Sequence, residues 1–158
     1  MSGCTNNQRE EYSFKTFSDE RISIQYPSYM EPVEDSALIG IAHVVFSTTN
    51  EKYPAGFVVI FTDFEASNKE DLKFTDLRII SEENVTILGK NSTKIIYEYN
   101  QDPATIGLNS EQPIPIKAMR TSTEIEGGFV QLRFIASEGI FEKYISDVTQ
   151  MVYSFKLN

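Results

Sequence analysis

The chain has 158 residues, of which 41% are hydrophobic and 12% aromatic, so it is long enough to fold as one domain around one core. Its formal net charge is −9, and the acidic groups are spread along the chain. This charge argues against a nucleic-acid partner and against direct adhesion to anionic lipid, because both need clustered lysine and arginine. The single cysteine rules out an internal disulfide bond.

The N-terminus carries a motif of small residues that ends on that cysteine. Ser2, Gly3 and Cys4 are similar to the last three positions of the prokaryotic lipobox, in which the cysteine thiol receives a lipid. Met1 stands where leucine is usual, so we expect it to replace a native residue, with an apolar signal segment of about 7 to 15 residues upstream of Ser2. Cys4 is therefore the predicted lipidation site. The alternative is a native Met1 and an unmodified Cys4.

A lipid on Cys4 would hold the chain at the outer face of the cytoplasmic membrane, because two acyl chains suffice for stable anchoring. Residues 5–11 contain nothing apolar and predict a short flexible spacer. We expect residues 1–11 to be a disordered tether and residues 12–158 to be a single, monomeric domain.

The first half of the domain predicts mainly strands. Residues 12–15 and 22–26 alternate apolar with polar side chains, so they predict an N-terminal β-hairpin that ends at Pro27. Residues 39–48 and 57–64 are continuously apolar and predict strands covered on both faces. Residues 67–72 have the composition of a helix start and predict a short helix.

The second half predicts a meander and a closing helix. Residues 85–88 and 94–99 predict strands around a turn at Gly89, and a loop follows at residues 101–113. Residues 114–125 and 129–136 predict a hairpin around Gly127-Gly128. The last helix is expected to be capped by Ser137. Apolar residues recur in it at steps of three and four, which predicts one buried stripe: Phe141, Tyr144, Ile145, Val148, Met151 and Val152.

The order of these segments resembles the PsbP-like group and the related Mog-type Ran-binding proteins. The similarity lies in Phe17–Ser28 with its Tyr-Pro-Ser corner, in Leu88-Gly89 followed by Ile95–Tyr99, and in the closing segment Phe141–Leu157. The resemblance implies an α+β fold: an α/β/α sandwich around a mostly antiparallel sheet. Tyr29 stands where the family often has tryptophan, and no position matches the metal-site or photosystem-docking residues of plant members. The resemblance therefore implies a fold and no photosynthetic role.

The sequence predicts no catalytic residue, no metal site and no cofactor. His43 is the single histidine, in a run typical of a strand, and we interpret it as structural because no nucleophile motif accompanies it. Two carboxylate pairs, Asp63 with Glu65 and Glu124 with Glu126, are interpreted as solvated strand faces because no calcium-loop motif supports them.

Two Asn-x-Ser/Thr sequons, at Asn84 and Asn91, are possible glycosylation sites outside the cytoplasm. The first functional hypothesis is a non-catalytic, lipid-anchored domain that binds another protein or assists envelope assembly. Two alternatives stay open. One is a small-molecule or ion-binding module with a cleft between residues 49–56 and 101–113 at one end of the sheet. The other is a cytosolic protein-binding domain of the Mog type.

Overall fold

A computed structural model of the chain describes residues 12–33, 42–49, 55–63, 76–102 and 112–158. These residues form two antiparallel sheets and one long helix. The three-stranded sheet contains β1 (Phe14–Ser18), β2 (Ile22–Pro27) and β10 (Lys156–Leu157), in the order β1-β2-β10. The first and last strands of the chain therefore flank one central strand.

The seven-stranded sheet has the order β3-β4-β5-β9-β8-β7-β6. All its neighbouring strands are antiparallel. The strands are β3 (Met30–Val33), β4 (Val44–Thr48), β5 (Gly56–Thr62), β6 (Arg78–Ile87), β7 (Lys90–Gln101), β8 (Ile114–Ile125) and β9 (Gly128–Ser137).

The main core lies between one face of this sheet and a layer formed by the small sheet and helix α1 (Glu138–Ser154). The helix buries five of the six residues of its predicted apolar stripe, and the sixth, Ile145, is half-buried. Ile22 and Ile24 of β2 enter the same core. The predicted hairpin, the predicted closing helix and an α+β fold around a mostly antiparallel sheet are thus confirmed.

The opposite face of the large sheet also carries buried side chains. Tyr97, Tyr99, Ile116 and Ala118 form part of a second apolar cluster on β7 and β8. Gln131 of β9 is only 3% exposed. Both faces of β7, β8 and β9 therefore carry buried side chains, whereas β4 and β5, whose apolar runs predict cover on both faces, bury one face and leave most residues of the other half-buried.

Several boundaries differ from the sequence predictions. Strand β3 was not predicted, because Pro32 argues against a strand; the strand lies at the sheet edge, where proline is tolerated. Strand β6 begins at Arg78, seven residues before the prediction, and β4 begins only at Val44. The predicted helix at residues 67–72, most of the loop at 101–113 and the N-terminal tether lie outside the described residues.

The predicted cap of α1 is wrong in its chemistry. Ser137 occupies the N-cap position, but its side chain makes no capping hydrogen bond. Ser137 is also the last residue of β9 and pairs with Ile116, so its backbone is extended. The helix begins at the next residue, Glu138. Glu138 remains as the acidic residue that favours the helix N-terminus.

Candidate functional site

A polar pocket of about 380 Å³ lies at one end of the large sheet. Strand pairing places Gly56, Ser137, Ile116 and Tyr99 at this same end of successive strands. Helix α1 starts there, β4 and β7 end there, and β5 and β8 begin there. The pocket is lined by Asp76, Arg78, Glu98, Tyr99, Asn100, Pro115, Ile116 and Glu138.

The pocket has an excess of negative charge, since its lining contains three carboxylates and one guanidinium. Arg78 is bonded to Glu98, its cross-strand neighbour. That hydrogen bond and the charge of Glu98 raise the pKa of Arg78, and Glu138 adds to the effect. Because Arg78 is already engaged, an incoming ligand would meet the remaining carboxylates, Asp76 and Glu138.

The backbone of Asp76 has a φ of 62°, in the left-handed region. Few residues other than glycine adopt this conformation, and aspartate and asparagine do so more readily than most. Asp76 is separated from the start of β6 by Leu77 alone, so this conformation lies next to the edge strand.

His43 was predicted to be structural, and its contacts are those of a structural residue. Its Nε2 atom lies 2.7 Å from Oδ2 of Asp19, and its ring packs edge-to-face on Phe61 with the centroids 5.4 Å apart. The guanidinium of Arg21 covers the same Phe61 ring, 3.8 Å from its centroid. These contacts fix the three-stranded sheet to the large sheet, and no nucleophile is part of them.

The pKa of Asp19 is set by several neighbours. Partial burial acts to raise it, but the N–H groups of Ile22 and Arg21 and the imidazole of His43 together lower it below its usual value. The carboxylate accepts hydrogen bonds of 2.8 Å from Arg21 and 2.9 Å from Ile22. This residue is therefore charged at neutral pH and shapes the β1–β2 turn.

A second polar cluster fixes the N-terminal segment to helix α1. The hydroxyl of Tyr12 donates to Oδ1 of Asp147 at 2.7 Å, and the hydroxyl of Tyr29 donates to Oδ2 of the same carboxylate. Tyr29 also packs between the rings of Tyr12 and Tyr144. Asp147 lies outside the apolar stripe of the helix, and it is half-buried where the two phenols hydrogen-bond to its carboxylate.

The predicted site residues are not brought together. Cys4 and Glu65 lie outside the described residues. Asn84 lies on β6 and Asn91 near the start of β7, both exposed, so glycosylation remains a prediction for both. Within the described ranges, no group of three His, Cys, Asp or Glu side chains could hold a metal ion. No helix in the described part of the chain has the length and apolar character needed to span a bilayer.

The predicted cleft between residues 49–56 and 101–113 stays a prediction, because no residue of either segment lines the pocket and most of both lies outside the described residues. The charged residues of the pocket were missed. Asp76, Arg78 and Glu98 occur in no motif, and only the register of β6 on β7 places Arg78 opposite Glu98. The sequence does not predict this register, because β6 and β7 pair with a bulge that shifts the register between Ile79 and Ser81.

No protein-family model matches the chain, and no curated protein matches it. Several solved structures do. Cyanobacterial PsbP (CyanoP) from Synechocystis sp. PCC 6803 aligns with a TM-score of 0.60 at 13% identity, over 100% of this chain and 99% of its own. LpqN of Mycobacterium tuberculosis, described as involved in cell envelope biogenesis, aligns with a TM-score of 0.63 at 10% identity, over 94% and 92%.

A third structure, PA94 from Pseudomonas aeruginosa, is described as a protein of unknown function and putative regulator. It aligns with a TM-score of 0.57 at 6% identity, over 89% of this chain and 94% of its own. None of the three descriptions names an enzymatic activity. The chain has a PsbP-like fold, as the resemblance implied, and at these identities the likeness concerns the fold alone.

Proposed function

We propose that the chain is a non-catalytic, lipid-anchored extracytoplasmic domain that binds another protein or assists envelope assembly. The observation that carries the proposal is the lipobox-like Ser2-Gly3-Cys4 followed by a polar spacer, on a domain with a PsbP-like fold. The fold that it shares with LpqN, described as involved in cell envelope biogenesis, supports the same assignment.

The proposal includes the domain division into a tether at residues 1–11 and one monomeric domain at 12–158. It is supported by the pairing of β1 and β10 with the same strand, β2, which ties both ends of the described chain into one sheet. We also assign the domain to the α/β/α sandwich class, and the burial of side chains on both faces of the large sheet supports this.

The anchor is tested with native protein extracted from membranes in detergent. Mass spectrometry of the N-terminal peptide is expected to show a diacylglyceryl thioether on Cys4 and cleavage directly before it. The Cys4→Ser variant, expressed with the native upstream segment, should move from the membrane to the soluble fraction. Native material that is soluble with a free Cys4 thiol would contradict the anchor and favour a cytosolic Mog-type protein-binding domain.

The pocket of about 380 Å³ favours a second candidate, a small-molecule-binding module. Its lining of carboxylates and one amide suits a small cationic or polar ligand. A thermal-shift screen with amines, metal ions and metabolites tests this, because a ligand that binds only the folded state raises its melting temperature. A shift that is lost in Glu138→Gln and kept in Glu126→Gln, at an exposed turn residue, would support it; the absence of any shift counts against it.

A further inference from the structure

Strand β6 forms one edge of the seven-stranded sheet, and among the described residues it pairs with β7 alone. Its ten residues are exposed except Val85, which is half-buried, and Ile87, which is buried. An edge strand presents a row of backbone N–H and C=O groups without a ladder partner, so it can accept an extended segment of another chain.

Two large apolar side chains lie on this edge. Ile79 is 54% exposed and Ile80 is 43% exposed. They lie at the register shift between Ile79 and Ser81, where Ile79 pairs with the buried Tyr97 of the second apolar cluster. The two isoleucines therefore expose apolar surface at the sheet edge, next to the strand that carries Tyr97.

The charges along the edge favour a cationic partner. Arg78 is paired with Glu98, and Glu83 is paired with Lys94. Glu82 makes no ion pair with any described residue, and the acidic pocket opens beside Arg78 at the start of the strand. The edge therefore presents an unpaired carboxylate at its middle and an excess of carboxylates at its N-terminal end.

We propose that β6 is the docking strand for an extended segment of a partner protein in which apolar residues alternate with lysine or arginine. This inference rests on the proposed protein-binding function and identifies the surface that performs it. The segment adds an eighth strand to the sheet, its apolar residues cover Ile79 and Ile80, and its basic residues pair with Glu82 and enter the acidic pocket.

A second copy of the chain fits this edge less well. If β6 pairs with itself in antiparallel orientation over its full length from Arg78 to Ile87, Glu82 lies opposite Glu83 in both halves of the pairing. Like charges directly opposite each other destabilise a strand pair. The net charge of −9 adds repulsion between copies, whereas a basic segment gains from both features.

The probe is a ten-residue synthetic peptide in which lysine alternates with valine and threonine, and its control has glutamate in place of each lysine. Binding to the isotope-labelled full chain is followed by backbone amide NMR. The lysine peptide is expected to shift amide signals of β6. Glu82→Lys and Ile80→Ser should each weaken binding by about tenfold, and the glutamate peptide should bind Glu82→Lys better than the wild type.

Glu126→Lys is the matched control, because Glu126 is exposed in the β8–β9 turn and the substitution makes the same change in net charge. It should bind the lysine peptide with no more than about a twofold loss. Circular dichroism and thermal melting confirm that each variant is folded. The inference is overturned if β6 signals do not move, if Glu82→Lys and Glu126→Lys bind equally, or if the wild type forms a dimer that Ile80→Ser dissociates.

Cross-linking in native membranes separates this inference from the proposed function. A defined cross-linked complex that forms with the wild type and is lost in Glu82→Lys and Ile80→Ser supports both. If the complex persists in both variants, the docking strand is wrong while protein binding stands. If the wild type forms no complex, the protein-binding function itself fails.

Discussion

His43 Nε2 lies 2.7 Å from Asp19 Oδ2, and this contact joins the first hairpin turn of the chain to the start of β4 in the large sheet. The other oxygen of the same carboxylate accepts hydrogen bonds from the N–H groups of Arg21 and Ile22. One side chain therefore both shapes the hairpin turn and fixes the small sheet to the large one.

We expect Asp19→Ala to lower the free energy of unfolding by about 2 kcal/mol, because it removes two turn hydrogen bonds and the contact to His43. Asp19→Asn keeps an acceptor for the two N–H groups and loses only the charge, so its cost should be about 1 kcal/mol or less. Urea denaturation of the two variants measures the difference. Equal losses would show that the turn hydrogen bonds contribute nothing.

The pH dependence of Asp19 follows from its lowered pKa. A carboxyl group with a lower pKa in the folded state adds stability that is present above its unfolded value of 3.8 and is lost as the pH falls through the folded value. The stability difference between wild type and Asp19→Asn should therefore be present above pH 3.8 and shrink as the pH falls below that value. A difference that grows as the pH falls below 3.8 would contradict the assignment.

Gly128 and Gly139 offer a matched pair of glycine substitutions. A Cβ atom on Gly128 would lie 2.0 Å from the carbonyl oxygen of Thr62, a backbone atom that cannot move without disturbing the β5–β9 pairing. Gly128→Ala should therefore destabilise the fold by about 3 kcal/mol. Gly139 lies in the first turn of α1 with nothing within 4 Å, so Gly139→Ala should be neutral or stabilise by up to about 1 kcal/mol.

Chemical denaturation of the two glycine variants tests the close approach of β9 to β5. Equal effects of the two substitutions would mean that Thr62 moves aside. A lower free energy of unfolding for Gly139→Ala would instead show that the start of α1 has no room for an added methyl group.

The parts of the fold that could be predicted have strong local patterns. The apolar stripe of α1 and the alternating apolar residues of β9 both arise because one face of each element packs on the same core. The sequence alone therefore predicts these two elements. The first seven residues of β6 show no such pattern, because an exposed edge strand buries neither face. β3 was missed because its proline is acceptable only at an edge, and edge position is a property of the whole sheet.

The candidate site depends on contacts between distant residues. Asp19 and His43 are 24 residues apart, and Tyr12 and Asp147 are 135 residues apart. Asp147 has the spacing of a solvent-facing helix residue, and only the docking of the N-terminal tyrosines buries it. The pocket likewise forms from β6, β7, β8 and α1, whose proximity follows from strand order.

The carboxylate of Asp147 gives a fourth prediction, through its two phenol donors. Tyr29→Phe leaves the half-buried Asp147 carboxylate with one phenol donor. Because hydrogen bonds to charged groups are strong, this substitution should lower the free energy of unfolding by about 2 kcal/mol. Tyr12 is 45% exposed, so water can replace its hydroxyl and Tyr12→Phe should cost less, about 1 kcal/mol.

Tyr153→Phe is the control for these two substitutions, since Tyr153 is 60% exposed on the same helix and its hydroxyl makes no hydrogen bond with the described residues. It should leave the urea midpoint unchanged. The cluster around Asp147 would be unimportant for stability if Tyr29→Phe behaved like this control.

The tyrosines also give a prediction for alkaline pH. Burial raises the pKa of Tyr99 to about 12, with the charge of Tyr97 adding to the effect and Arg133 opposing it. Burial and the hydrogen bond to Asp147 raise the pKa of Tyr29 as well. Groups with a raised folded pKa contribute stability that is complete below the unfolded value of 10.0 and is lost as the pH rises through the folded values.

In a spectrophotometric titration of the folded chain, Tyr29 and Tyr99 are therefore expected to ionise after the exposed tyrosines. In concentrated urea all eight tyrosines of the chain should titrate together near pH 10. Tyr99→Phe should remove one equivalent from the late phase and none from the early phase. A single transition near pH 10 in the folded protein, unchanged by urea, would mean that neither phenol is shielded by the fold.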